Sequence, residues 1–448
     1  MFKNKFKKHN KNTFLKYLNM DILIGISFLK WIVIGSIVGI LTGFAATLFL
    51  KSLEIATYLR LRNPWLLFLL PIGGAFISFL YSKYGKNSSK GNNLILDNIL
   101  TDSDDIPLRM APLVFLGTFV THLFGGSAGR EGTGVQIGSC VSEFIGRLFK
   151  LNNIDRKIIL MCGISSGFGS VFGTPLAGTI FGLEVATLGI MSYGAIIPCF
   201  TSAFVGNLVT KFLNVTHGHY NIPEAPALTY IFVLKIIAAS ILFGLVSKLF
   251  SELTHKLKEI FSYVLKNASI KSFVGGLIII ALTYIIGTRD YLGLSLPLMS
   301  DAFDSNVSPF AFINKLLFTS ITLGSGFQGG EVTPLFVIGS TFGNTLSNIL
   351  HISPALLASL GLIGVFAGAT NSPITSFVLG LEMFGSQSIE LMFMTCIISY
   401  LFSGHSGIYL SQKIGISKSS LIKPTIDVTL GSYRKNKNMD IYSNKKKS

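Results

Sequence analysis

Apolar residues fall along this chain in long runs, not in the strict alternation of strands or the narrow stripes of soluble helices. Runs long enough to cross or enter a bilayer cover 22–50, 64–81, 110–124, 158–183, 188–209, 230–249, 273–286, 310–321, 335–349, 352–381 and 389–402. About twenty apolar residues of helix span the hydrocarbon core, so the pattern predicts roughly ten or more membrane-embedded segments. Period-2 strands with regular turns, the mark of a membrane barrel, are not the pattern here. The expected fold class is therefore an all-α polytopic membrane protein. Composition agrees: half of the 448 residues are apolar and 13% are charged, against roughly 25% charged in an ordinary soluble domain. Mean hydropathy is +0.59. The 46 glycines break up many of the runs, which lipid-facing helices tolerate only where protein or water covers the freed backbone.

Net charge is +16, which on a soluble protein suggests nucleic acid. Here position decides otherwise. Lys3, Lys5, Lys7, Lys8, Lys11 and Lys16 precede the first apolar run, and Arg434, Lys435, Lys437, Lys445, Lys446 and Lys447 follow the last. Under the positive-inside rule both termini lie in the cytoplasm and the number of full crossings is even. The lysines read as basic tails drawn to anionic lipid, with no nucleic-acid partner. The expected organisation is a tail over 1–20, a membrane domain over 21–413 and a second tail over 414–448. The first apolar run is too long for a signal peptide and has no obvious small-residue cleavage site, so it reads as retained. Cys140, Cys162, Cys199 and Cys396 show neither paired spacing nor a metal pattern; they read as reduced packing residues, with no metal or cofactor expected.

Two pairs of segments echo each other. The run 125–139 reads GGSAGREGTGVQIGS and 324–340 reads GSGFQGGEVTPLFVIGS, with Glu131 and Glu331 placed 200 residues apart. GSVFGTPLAGTIFGLE ends at Glu184 and GVFAGATNSPITSFVLGLE at Glu382, which sets Pro175 and Pro373, and the two glutamates, 198 residues apart. Two repeats follow, about 21–215 and 226–413. Repeats with Gly- and Pro-interrupted helices at matching places are how many secondary transporters are built, with the site where broken helix ends meet. A helix that starts inside the membrane offers unpaired N–H groups and its positive dipole end, an anion site needing no full positive charge.

Glu131 opens one such helix. A carboxylate there either occupies an anion's place by accepting those N–H groups, or takes a proton and swings away. An ionisable group at membrane depth is functional by default. Arg130 reads as structural, with Asp97 as a partner. Glu184 and Glu382 read as structural or edge groups, and His122 as packing.

The motifs GREGTGVQIG, GSGFQGGEVTP, TPLAGTIFGLE and GHSGIYLSQ resemble those of the CLC chloride channels and transporters, over roughly 24–412. The resemblance implies a CLC-type fold of two inverted-topology repeats whose broken helices meet at the midplane, in a homodimer with one pathway per subunit. It implies that Glu131 is the gating, proton-coupling glutamate and that Tyr409 offers its hydroxyl to the central anion. It also places Asn92, Asn93, Gly132, Thr133, Gly330, Glu331, Val332 and Thr333 around that anion.

Departures from the common pattern are informative. Asn92-Asn93 stand where chloride members read GSGIP, Thr133 follows GREG where Pro is usual, GGEVTP replaces GGIFAP, and Val185 stands where exchangers carry an inner proton glutamate. Together these differences resemble the bacterial fluoride/proton antiporters of the family, the CLC-F branch. Fluoride is small and tightly hydrated, so a site that strips its water needs strong, short donors; the amides and hydroxyls of Asn92, Asn93, Thr333 and Tyr409 suit it. Glu331 is a neutral donor, a partner in proton exchange with Glu131, or a cap on its own helix.

The function this implies is secondary active export of fluoride in exchange for protons through the cell (inner) membrane. A chloride/proton exchanger and a passive anion channel of the same fold are the alternatives. A membrane-embedded enzyme is the reading from another class, and it is disfavoured: no metal motif is evident, and Ser127 and Ser325 lack a histidine partner by spacing.

Overall fold

The computed structural model describes residues 2–101, 106–216, 228–419 and 427–436, with 218, 220, 222, 226 and 421 as single positions and only the backbone of 2–19. Sixteen α-helices are found among the described residues. The first eight are α1 (Phe2–Arg62), α2 (Leu70–Leu80), α3 (Asn92–Thr101), α4 (Met110–Leu123), α5 (Glu131–Leu148), α6 (Asn153–Phe172), α7 (Pro175–Glu184) and α8 (Ile196–Phe212). The second eight are α9 (Tyr230–Val264), α10 (Ala268–Ile286), α11 (Leu296–Asp304), α12 (Ala311–Gly324), α13 (Val332–Leu350), α14 (Pro354–Thr370), α15 (Pro373–Phe384) and α16 (Ile389–Phe402). Two short strands, β1 (Thr187–Leu188) and β2 (Lys413–Ile414), pair in parallel. The backbone of 2–20, expected to form a tail, prolongs α1. Lys437 and Lys445 to Lys447 lie outside the described residues.

Two apolar runs that look continuous in sequence are each cut in two. The first stops at Gly173, in the left-handed region with φ 76°, and resumes at Pro175, the first residue of α7. The second stops at Asn371, with φ 55°, and resumes at Pro373. Proline lacks an N–H and has a preset φ, so it suits the first turn of a new helix and cannot continue an old one. Three helices fell outside the apolar runs: α3, α5 and α11 are too polar or too short to register as membrane segments.

The packing of the first eight helices recurs in the second eight. α1 packs on α6 and α8 as α9 packs on α14 and α16, α5 on α6 as α13 on α14, and α4 on α5 as α12 on α13. Close backbone approach holds these pairs: a Cβ on Gly163 would lie 2.6 Å from the Gly138 carbonyl oxygen, and Gly339 and Gly361 meet likewise in the second half. Small residues allow helices to pack this tightly where lipid supplies no hydrophobic drive.

α7 and α15 reveal the symmetry. Glu184, at the end of α7, accepts from the N–H groups of Ile374 (3.2 Å) and Thr375 (2.8 Å) at the start of α15. Glu382, near the end of α15, accepts from those of Leu176 (2.9 Å) and Ala177 (2.8 Å) at the start of α7. Equivalent helices thus run antiparallel, so the axis relating the halves lies across the helices and the repeats are inverted. All four cysteines are buried and free.

Candidate functional site

The glycine-rich loops that precede α5 and α13 meet back to back. The Gly129 N–H donates to the Gly330 carbonyl at 2.6 Å, and the Gly330 N–H to the Gly129 carbonyl at 2.8 Å. Neither position has room for a side chain. A Cβ on Gly330 would lie 2.7 Å from the Gly132 nitrogen, and one on Gly129 would lie 2.8 Å from Pro334 Cδ. This contact brings the first turns of two helices from different repeats to one place.

Glu131, the first residue of α5, is fully buried, at 0% exposure. Its side chain reaches across to α13. Oε2 accepts from the Thr333 N–H at 3.0 Å and from the Arg130 N–H at 3.1 Å, and Oε1 accepts from the Thr333 hydroxyl. Arg130 Nε lies 3.5 Å from Oε1, so Arg130 faces Glu131 and not Asp97. A carboxylate therefore sits on the orphan donors of a helix start inside the molecule, where the macrodipole favours negative charge and such bonds are charge-assisted.

The pairing of Gly129 with Gly330 also corrects the apparent match of Glu131 with Glu331. The helix register is offset by one: Arg130 is the residue before α5, as Glu331 is before α13. Glu331 thus stands where the first repeat has an arginine. Its side chain makes no capping bond, which removes the reading in which it caps its own helix. Instead it lines a cavity.

That cavity measures about 520 Å³. Its walls carry Asn92 and Asn93 from α3, Gln136 from α5, Glu331 and Tyr409, and its rim carries Lys86, Lys90, Lys258 and Lys271. Asn92 Nδ2 approaches to 3.0 Å of the point where Gly132 would carry a Cβ, and its Oδ1 is buried without a hydrogen-bond partner. Asn93 Oδ1 accepts from the Ser411 N–H at 2.9 Å, tying α3 to the loop that bears Tyr409. A second, very small void of about 10 Å³ lies beyond Asn92 and Tyr409, walled by Ile95, Leu96, Val135, Ile164, Phe181 and Val185.

Of the remaining candidates, Gly132 lies against Gly330, whose Cα is 3.2 Å from a Cβ built on it. Val332 is buried and apolar, at 1% exposure. Thr133 is turned away: its hydroxyl shares a 2.6 Å hydrogen bond with that of Thr118 on α4. His122 packs between the carbonyls of Thr118 (2.8 Å) and Ala128 (3.1 Å), steadying the loop before Glu131.

The Tyr409 loop is held from several sides. The Ile408 N–H donates to Ala369 at 2.9 Å and Lys413 to Ala186 at 3.1 Å. Gln412 donates to the carbonyls of Val185 (2.9 Å) and Thr370 (3.1 Å) and accepts from Asn371 (2.9 Å).

The profile of the family described as "Voltage gated chloride channel" matches residues 73–404. The chain belongs to the CLC family. Among relatives of this CLC protein, the "Chloride/fluoride channel protein" of Pseudomonas syringae pv. tomato is 43% identical over 395 residues, 87% of each chain. Among solved structures, a CLC-type fluoride/proton antiporter superimposes with a TM-score of 0.84 at 33% identity, covering 86% of this chain and 98% of that one. A slow cyanobacterial Cl-/H+ antiporter shares the fold, with a TM-score of 0.73 at 19% identity and coverage of 83% and 94%.

Sequence reading of this CLC chain missed Gln136 and the four rim lysines. Lys258 and Lys271 sit on either side of the α9–α10 connection, where a lysine looks like an ordinary interfacial residue. Only the way the helices converge shows that they share a cavity with Lys86 and Lys90.

Proposed function

We propose that this CLC protein is a secondary active transporter that exports fluoride in exchange for protons. One observation carries the reading: the Glu131 carboxylate is seated on the Thr333 N–H and hydroxyl at the start of α13. Ionised, it holds the seat. Protonated, it loses the charge that favours the dipole and those donors, leaves, and yields the seat to an anion. One carboxyl group then exchanges places with one halide, which couples proton and anion movement.

Short, strong donors favour fluoride. The Thr333 amide and hydroxyl already bind the two oxygens of a carboxylate, hard anionic atoms like fluoride in their demand for donors. Asn92, Asn93 and Tyr409 lie on the route from the cavity. Val185 offers no inner acid, so Glu331, on the cavity wall, is the group suited to carry the proton on that side.

Lys86, Lys90, Lys258 and Lys271 all line the cavity. A mouth this rich in lysine, read with the basic N-terminal segment, faces the cytoplasm under the positive-inside rule. Fluoride then enters from within the cell, and both termini are cytoplasmic. The homodimer rests on the family resemblance; the exposed apolar face of α8 at Ile197, Phe200 and Phe204 is covered by a second copy in that reading, and by lipid otherwise.

The test is proton movement driven by fluoride, and separately by chloride, in vesicles holding the purified protein. Fluoride-driven proton uptake that chloride does not reproduce supports the proposal. Equal pumping by both makes it a chloride/proton exchanger, and anion flux without protons a channel.

The hydrolase reading meets one pair worth weighing: Ser127 Oγ lies 2.9 Å from Lys315 Nζ. Lys315 is fully buried and also donates to the carbonyls of Gly293 (2.8 Å) and Tyr291 (3.3 Å) and to Ser295 Oγ (2.9 Å). Two of the four oxygens around Nζ are backbone carbonyls, which can only accept, so Lys315 is held there as a hydrogen-bond donor. The geometry is that of a tether on the loop before Glu131.

A further inference from the structure

The segment from Asp427 to Asn436 folds back onto the loop that carries Tyr409. Its first half pairs with that loop through backbone: Ile414 N–H to Val428 (2.9 Å), Asp427 N–H to Ile414 (3.0 Å), Leu430 N–H to Gln412 (2.9 Å) and Gly431 N–H to Leu410 (2.9 Å). Leu430 is buried in a small cluster with Leu188 and Ile414 and stands 3.2 Å from the point where Gly407 would carry a Cβ. The Tyr433 ring packs on His405 with centroids 5.4 Å apart.

One charged relay joins this strap to α9. Arg434 Nε donates to Glu252 Oε2 at 3.1 Å and Arg434 Nη1 to Glu259 Oε1 at 2.9 Å. The other oxygen of Glu252 accepts from Ser406 Oγ at 3.0 Å, three residues before Tyr409. Next to it, His255 of α9 approaches the Gly407 carbonyl at 2.9 Å. Glu252 is therefore shared between the strap and the loop, and the loop is clamped between α9 on one side and the strap on the other.

We infer that Arg434 is a positioning residue for Tyr409, acting through Glu252 and Ser406, and that the 427–436 strap is a latch which sets how Tyr409 meets an anion arriving from the cavity. The inference rests on the reading that Tyr409 lines the anion route. Fixing Glu252 in one rotamer holds Ser406, and the short span from Ser406 to Tyr409 transmits that placement because Ile408 and Gln412 are anchored on either side of Tyr409. Freed of Arg434, Glu252 turns to water, the loop gains conformers, and anion binding loses pre-organisation.

The experiment uses the full chain in vesicles, with fluoride as the anion, and compares Arg434→Gln, Ser406→Ala, their combination and Arg434→Lys. Each single variant should raise the KM for fluoride by up to about fivefold, the effect expected of a partly exposed ion pair. The maximal rate and the protons moved per fluoride should stay unchanged. The double variant should be no worse than either single one, since both break one relay, and Arg434→Lys should recover most of the wild-type KM. Unchanged KM in Ser406→Ala, or strictly additive effects, would overturn the relay. Ser406→Ala keeps the test open if Arg434→Gln fails to fold. Tyr409→Phe is the separate control: if it leaves fluoride KM untouched, the anion-route reading fails whatever Arg434 does.

Discussion

Gly129 and Gly330 donate to each other's carbonyl oxygens, at 2.6 and 2.8 Å, and this contact between the repeats places Glu131 of one half on the helix start of the other. Had each loop served its own helix, Glu131 would cap α5 and the start of α13 would hold nothing but backbone. The crossing makes a side chain from one repeat compete with an anion for donors in the other.

Replacing Glu131 with Gln should abolish proton coupling while leaving anion movement. The amide is nearly isosteric but cannot titrate, and its NH₂ faces donors where the carboxylate faced them. Fluoride-driven proton uptake in vesicles should fall to background with fluoride flux still measurable. Normal pumping by Glu131→Gln would end the proposed mechanism.

Thr333→Val keeps the shape of the side chain and removes the hydroxyl that bonds Glu131 Oε1. A hydrogen bond to a charged group contributes about 1.5–3 kcal/mol. Fluoride binding, read by calorimetry, should weaken at least about tenfold, and Thr333→Ser should retain most of it. Chloride transport should suffer less, since chloride depends less on strong donors.

Gly330→Ala places a Cβ 2.7 Å from the Gly132 nitrogen, inside contact distance of backbone that has nowhere to move. Overpacking of this kind costs about 1–3 kcal/mol. The thermal unfolding midpoint in detergent should drop and transport should be lost. Gly194→Ala, where a Cβ would meet nothing within 4 Å, should leave both unchanged.

Glu184→Gln removes a charge that accepts two N–H groups and the Thr375 hydroxyl, the last at 2.6 Å. Losing a charged cap in this buried place should lower stability by about 1.5–3 kcal/mol. The protons moved per fluoride should not change, because Glu184 serves α15 and not the anion seat. A changed ratio would assign Glu184 a part in transport that its contacts do not suggest.

The rim lysines act at longer range. Lys258→Gln with Lys271→Gln should raise the fluoride KM a few-fold, read from the cavity side, at low ionic strength, about 0.01 M, where the Debye length is about 30 Å. The effect should shrink at about 1 M salt, where that length is about 3 Å. Salt-independent loss would point to misfolding and not to steering.

Hydropathy alone determined the membrane class, because the demand that lipid places on side chains is local and sums along the chain. The repeat was legible too, since the motifs around Glu131 and Glu331, and those ending at Glu184 and Glu382, keep nearly constant spacing. Gly and Pro marked where helices break, and Glu131 was singled out by the improbability of a carboxylate among apolar residues.

What the tertiary structure decided is which groups meet. The register that aligns Glu331 with Arg130, the turning of Thr133 toward Thr118, the exchange of caps between Glu184 and Glu382, and the clamp from Arg434 to Ser406 all join residues far apart in sequence. Glu131 and Thr333 are separated by 202 positions, and no local propensity connects them. Burial and spacing are written residue by residue, whereas partnership depends on how two whole repeats pack, and that packing is where the anion seat arises.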